Sequence, residues 1–153
     1  MFERTFVLLK PDALQRSLAG EILSRLDRRG YRFVALKLLQ PTSEQARAHY
    51  AEHAGKFFFD GLVEHLTSGP VLAMVLEAPN AVSSVRQLVG ATRPAEAAAG
   101  TIRGDLGQSP LRNLVHAADS PENAALELAI YFNQADLLDY ERGSDRWIFE
   151  PGD

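Results

Sequence analysis

Cysteine is absent from the chain, which excludes disulfides, thiolate metal sites and thiol nucleophiles. That absence fits a reducing cytoplasm. No window approaches the roughly 20 apolar residues that span a bilayer. The amino terminus, MFERTFVLLKPDA, does not read as a secretory signal either. Its apolar run is short, follows Glu3 and Arg4 and ends at Lys10, where a signal needs a basic start, a longer run and a small-residue cleavage site. A soluble cytoplasmic protein without a membrane partner is the expectation. Neither GxxxxGK nor GxGxxG occurs, so a P-loop and a Rossmann phosphate cradle are both excluded. Positive charge is also short: 16 basic against 20 acidic side chains leave a net charge of -4. A broad basic face for nucleic acid is therefore not expected. Small anionic ligands need only local charge, and most of the basic residues are arginine, the better residue for forked contacts to phosphate.

What is present fits one domain over residues 1–153, with 46% apolar residues and no repeat, low-complexity tract or linker. Thr5 to Lys10 reads as a buried strand stopped by Pro11, which cannot donate to a sheet ladder. Ile22, Leu23 and Leu26 give Leu18 to Arg28 a helical period, with Gly30 as its stop. Tyr31 to Leu39 and Val71 to Glu77 read as strands. Ser43 to Tyr50, Phe59 to Thr67 and Ala81 to Val89 read as helices. Ala91 to Arg112 is a long loop of Gly, Pro, Ala and Arg, a kind that is often functional. Asn113 to Ala117 suits a fourth strand. Ser120 as N-cap, Pro121 as first helical residue and Glu122 near the positive end of the dipole then open a helix to about Phe132. The order βαββαβ, with additional helices, predicts an α+β ferredoxin-like sandwich on an antiparallel four-stranded sheet.

The segment RNLVHAADSPENAALELAIYF places His116 just beyond a short strand and before a capped helix, a rigid position from which to present a reactive group. Glu127 lies among apolar helix neighbours and needs a partner if buried. A carboxylate on one ring nitrogen of His116 would fix the tautomer and leave the other as a nucleophile. The competing reading is a capping histidine and a solvent-facing glutamate on an amphipathic helix. Thr92, Arg93 and Arg103 on the loop, Arg86 on the helix before it and Lys10 at a strand end form a set able to surround a triphosphate. Each arginine is equally readable as a solvated surface charge. His49 and His53 stand at helical spacing, but no third ligand can be nominated for them or for His65, so no protein-held metal is expected. Phe57, Phe58 and Phe59 cannot all face inward on one element, and one of them is expected to line a cleft.

Beside that reading stands a resemblance. The segments ERTFVLLKPDA, HYAEH, SGPVLAMVLEAPNAV, GATRPAEAAAGTIRGD, RNLVHAADS and DRWIFE follow one another as they do in nucleoside diphosphate kinases, and the chain resembles that family over essentially its whole length. The resemblance implies a ferredoxin-like core and a ping-pong transfer of the γ-phosphate from a nucleoside triphosphate to a diphosphate, through a phosphohistidine at His116 oriented by Glu127. It implies that Lys10 and Asn113 contact the ribose hydroxyl and neighbouring phosphate, that Arg86, Thr92 and Arg103 hold phosphates, that Tyr50 lies beside the histidine and that Phe58 stacks on the base. Leu62, one helical turn beyond Phe58, completes an apolar clamp, with Pro110 across the slot. Mg2+ would be bound mainly through the nucleotide phosphates. The assembly implied is a homo-hexamer, with a homo-tetramer as the alternative; Trp147, Ile148 and Phe149 in the tail are costly to leave in water and point to cover by another subunit. Departures from the family are Ala118 for a usual Ser beside the histidine, Arg93 for Asn, Phe57 and Ala99 for Pro, and Leu106 for Phe. From the residues alone, a non-catalytic regulatory module of the same fold and a nucleic-acid binder remain rivals, the second opposed by the acidic balance.

Overall fold

The apolar run after Thr5 sits at the centre of a sheet covered on both faces. In the computed structural model, which describes residues 1–153, β1 (Phe2–Leu9) pairs antiparallel with β3 (Val71–Pro79) on one side and β4 (Val115–Ala117) on the other. β2 (Arg32–Leu39) pairs antiparallel with β3, giving the order β2-β3-β1-β4. Alternation along the strand divides the core in two. Val7 and Leu9 pack with Ile22 and Leu26 of α2 (Ala19–Arg29) and with Val85 and Val89 of α5 (Ala81–Val89). Phe6 and Leu8 pack on the other side with Ala46 of α3 (Ser43–His49), Leu66 of α4 (Phe59–Thr67), and Ala124 and Tyr131 of α7 (Pro121–Tyr131). All four β1 side chains are fully buried, and each such burial contributes about 1.5–3 kcal/mol. The order of elements is βαββαβ with added helices, a ferredoxin-like α+β fold.

Local chemistry sets the helix ends. The Ser120 hydroxyl accepts from the Asn123 amide at 3.1 Å, with Pro121 as the first helical residue of α7. Thr42 and Gln45 close a capping box at the start of α3. Gly30 ends α2 at φ 105°, and a Cβ there would stand 2.8 Å from Ile148 Cγ2. Two short helices escaped the sequence reading: α1 (Pro11–Gln15), and α6 (Ile102–Leu106) inside the long loop. Five residues are too few to display a period.

The tail packs in part on its own chain. Arg142 binds the carbonyls of Tyr31 and Gly30 at 3.0 and 2.7 Å, and Phe149 meets the Phe2 ring edge-on at 4.9 Å. Phe149 is therefore partly covered by its own chain, whereas Trp147 stays 80% exposed. No helix is long and apolar enough to cross a membrane.

Candidate active site

His116 enters the site through strand register. It lies opposite Leu8 in the β1–β4 pairing and so faces the side of the sheet covered by α3 and α7. Leu114, two residues before it and just ahead of β4, is buried in a left-handed conformation at φ 75°, which costs about 1–3 kcal/mol for a residue with a side chain. Asp12 and Lys10 hold it there. Asp12 Oδ2 accepts from the Leu114 amide at 3.0 Å, and the Lys10 amide donates to the Leu114 carbonyl at 2.8 Å. His65 Nε2 stands 2.9 Å from the other oxygen of Asp12. The sequence reading missed Asp12, although its place in KPDA, directly after a strand and a proline, was the available signal.

α7 brings Glu127 against the histidine, with Oε2 2.9 Å from His116 Nε2. Both side chains are partly buried, and Glu127 makes no other side-chain hydrogen bond. Burial, reinforced by the positive charges of Arg103, Lys10 and Arg86, holds the His116 ring far below the ordinary imidazole range. Burial raises Glu127 to about 7, with Asp119 adding to the shift and His49 and Arg86 opposing it. An ionised Glu127 then requires the single ring proton on Nε2, and Nδ1 is left as the unshared nitrogen.

The residues expected to hold phosphates converge on the same cleft. Lys10 is buried and donates to Asn113 Oδ1 at 2.8 Å and to the Leu111 carbonyl. Its burial, opposed by the charge of Asp12 and reinforced by Arg103, lowers the ammonium to about 8. Asn113 in turn donates to the Thr92 carbonyl at 2.9 Å, which ties the long loop to the end of β1. Arg103, on α6, binds the carbonyls of Asn113, Gly90 and Val115 through Nε, Nη1 and Nη2. Three of its five N–H groups are thus committed to backbone. It braces the loop as well as charging the cleft. Arg86 is exposed and donates to the Ala117 carbonyl at 3.0 Å. Tyr50 closes one wall, its phenol raised to about 12 by burial and then by the charge of Glu127.

Ten of the residues singled out from the sequence, His116, Glu127, Tyr50, Lys10, Phe58, Leu62, Arg86, Thr92, Arg103 and Asn113, line one cavity of about 290 Å³, and Pro110 lines it too. Arg93 does not. Of the three consecutive phenylalanines, Phe58 faces the cleft, Phe59 packs on the core and Phe57 is 98% exposed. Glu52 and Asp119, which the sequence reading left out, also line the cavity, as does His53, which it had considered only beside His49. Glu52 and Asp119 lie just beyond Tyr50 and His116, on one turn of 3-10 helix (Ala51–His53) and on a bend, without any pattern of their own. A larger groove of about 810 Å³ runs past Gln15, Arg16, His65 and Arg112; it contains neither His116 nor Glu127.

The likeness to known proteins agrees with this geometry. The sequence pattern of the nucleoside diphosphate kinase family matches residues 3–137. A nucleoside diphosphate kinase from Archaeoglobus fulgidus is 53% identical over 148 residues, covering 97% of this chain and 98% of the relative. One from Carboxydothermus hydrogenoformans is 51% identical over 97% of this chain and 99% of its own length. Among solved structures, a halophilic nucleoside diphosphate kinase from Halobacterium salinarum in complex with CDP superimposes with a TM-score of 0.95 at 46% identity, covering 98% of this chain and all of that one. A family protein from Babesia bovis gives 0.93 at 45% identity, over 96% of this chain and 99% of its own.

Proposed function

The chain belongs to the nucleoside diphosphate kinase family, and from that premise we propose that His116 Nδ1 is the atom that carries the phosphoryl group between nucleotides. The enzyme moves a phosphoryl group from a nucleoside triphosphate to a nucleoside diphosphate through a phosphohistidine. The observation that carries the residue assignment is the His116–Glu127 contact, which occupies Nε2 and leaves Nδ1 unshared inside the cationic cleft. Neutral His116 attacks the γ-phosphorus, the bond to the leaving diphosphate breaks, and Glu127 stabilises the positive charge that forms on the ring. The second half reverses these steps with a diphosphate acceptor. Splitting the transfer lets one cleft serve both nucleotides.

Lys10, Arg86, Thr92 and Arg103 would offset the charge that spreads over the transferring oxygens. Asn113 and Lys10 would hold the ribose side, Phe58 and Leu62 would clamp the base, and Tyr50 would wall the histidine from water. The carboxylates of the cleft are Glu52, Asp119 and Glu127, and one oxygen of the last is engaged by His116. That donor set fits Mg2+ carried on the nucleotide's own phosphate oxygens rather than in a protein cage. When bound, the ion would supply further neutralising charge. In nucleotide exchange assays, His116→Ala should lose activity by more than a thousandfold while staying folded; residual exchange within tenfold of wild type would remove His116 from this role.

We also propose a homo-oligomer in the cytoplasm, a hexamer before a tetramer. β2 is an edge strand that exposes Leu36 and Leu38, 51% and 65%, and Trp147 adds a further exposed apolar surface. A monomer by light scattering at micromolar concentration would overturn both assemblies.

A further inference from the structure

His49 takes no part in the chemistry above, yet it sits at its centre. The residue is 6% exposed, and its ring lies 4.4 Å from that of His116 between centroids. Its Nε2 is buried without a hydrogen-bond partner. Native structures rarely keep such an atom unpaired. The spacing in the sequence had paired His49 with His53, but the fold separates their roles: His53 Nδ1 meets Lys56 Nζ at 3.1 Å, whereas His49 joins His116 and Glu127. One ligand atom from each of these three lies within 4.8 Å of the other two.

We propose that His49, His116 and Glu127 form a binding site for a borderline divalent cation of the zinc class, separate from the magnesium that nucleotides carry. Two imidazoles and a carboxylate are a set that zinc accepts with a fourth position left open, whereas magnesium prefers oxygen throughout. Glu127 uses one oxygen on His116 and has no further partner, so a carboxylate oxygen is available. Tyr131 Oη lies 3.1 Å from His49 Nδ1. When the phenol oxygen accepts from Nδ1–H, the lone pair falls on the orphaned Nε2, the outer contact that orients a metal-ligating histidine. Ligand atoms at about 2.0–2.2 Å from zinc stand roughly 3.3 Å apart, so the His116–Glu127 pair must open slightly and His49 must close on it.

The consequence is inhibition, and this part rests on the proposed role of His116. A cation on Nε2 forces the ring proton to Nδ1, which removes the nucleophile. Cation occupancy and phosphorylation of His116 therefore exclude each other.

Cobalt(II) titration of the whole protein without nucleotide reads the site by its visible absorption. The expected result is a four-coordinate spectrum that zinc displaces, that His49→Gln weakens by at least about tenfold and that His53→Gln leaves unchanged. Equal cobalt affinity in wild type and His49→Gln overturns the site. Should His49→Gln fail to fold, X-ray absorption of the zinc-loaded wild type decides: two imidazoles on the ion support the site, and none or one overturns it. Zinc-loaded protein freed of excess metal should then lose phosphoenzyme formation from magnesium-ATP by more than tenfold and regain it with EDTA. Undiminished labelling overturns the coupling. If His116 were not the nucleophile, metal-free His116→Ala would still be labelled, while the cobalt spectrum of wild type would stand unchanged.

Discussion

Glu127 holds His116 by Nε2 at 2.9 Å, and of the two groups only the carboxylate titrates near neutral pH, because burial raises it to about 7 while burial and three neighbouring cations hold the ring far lower. The sign follows from the proton's location. Above about 7 the carboxylate is ionised, accepts from Nε2–H and leaves Nδ1 nucleophilic. Below it, the carboxyl O–H donates to Nε2, the ring proton moves to Nδ1 and attack is lost. Phosphoenzyme formation should therefore rise with pH through about 7. Glu127→Gln retains an acceptor for Nε2–H and should label at a reduced rate without that step. Glu127→Ala should fall by about 10–100-fold. The same pH step in Glu127→Gln would assign it to another group.

Lys10 gives the upper limb. Its ammonium is lowered to about 8 by burial, so it carries charge below that pH and loses it above. A bound polyphosphate favours the charged form. The decline should accordingly appear near 8 in kcat/KM, which reports the free enzyme, and move to higher pH in kcat. Identical alkaline limbs in the two profiles would exclude Lys10 as the titrating group.

Two glycines should respond in opposite directions to alanine. A Cβ on Gly104 would lie 2.0 Å from the Ala98 carbonyl oxygen, whereas one on Gly20 of α2 meets nothing within 4 Å. Gly104→Ala must shift the backbone of α6 and with it Arg103, at a cost of about 1–3 kcal/mol and a raised KM. Gly20→Ala should stabilise by about 0.5–1 kcal/mol. Chemical denaturation checks both, and an unchanged midpoint for Gly104→Ala would contradict the packing of that loop.

Much of this was legible in the sequence because burial leaves a pattern. The run in β1 reads as doubly covered, and the Ser120-Pro121 cap fixes the start of α7, which is what brings Glu127 to His116. Illegible were the features that depend on contacts far apart in the chain. The strained Leu114 is held by Asp12, 102 residues away, and His49 meets Tyr131 at a separation of 82. Arg103 reads as a free phosphate ligand in sequence, since nothing local shows that three carbonyls will claim it. The Phe2–Phe149 contact is equally hidden, because it joins the two ends of the chain.

The base slot should tolerate any nucleobase. Phe58, Leu62 and Pro110 are apolar, and stacking accepts every π face at about 1–3 kcal/mol per base. The polar groups nearby, Glu52 and His53, have side chains 64% and 30% exposed, so neither is left dry and unpaired by the wrong base, as strong discrimination requires. Specificity constants for ADP, GDP, CDP and UDP should fall within roughly two orders of magnitude. A ten-thousandfold preference would reveal a polar reader.

The proposed transfer passes through one atom, Nδ1 of His116. Brief incubation with γ-labelled ATP and Mg2+, followed by peptide mapping and nitrogen–phosphorus NMR of the trapped protein, locates the phosphoryl group. The predicted result is an acid-labile, alkali-stable label on Nδ1 of His116 that ADP removes within one turnover. A label on Nε2, on another residue, or on none during active exchange would contradict it.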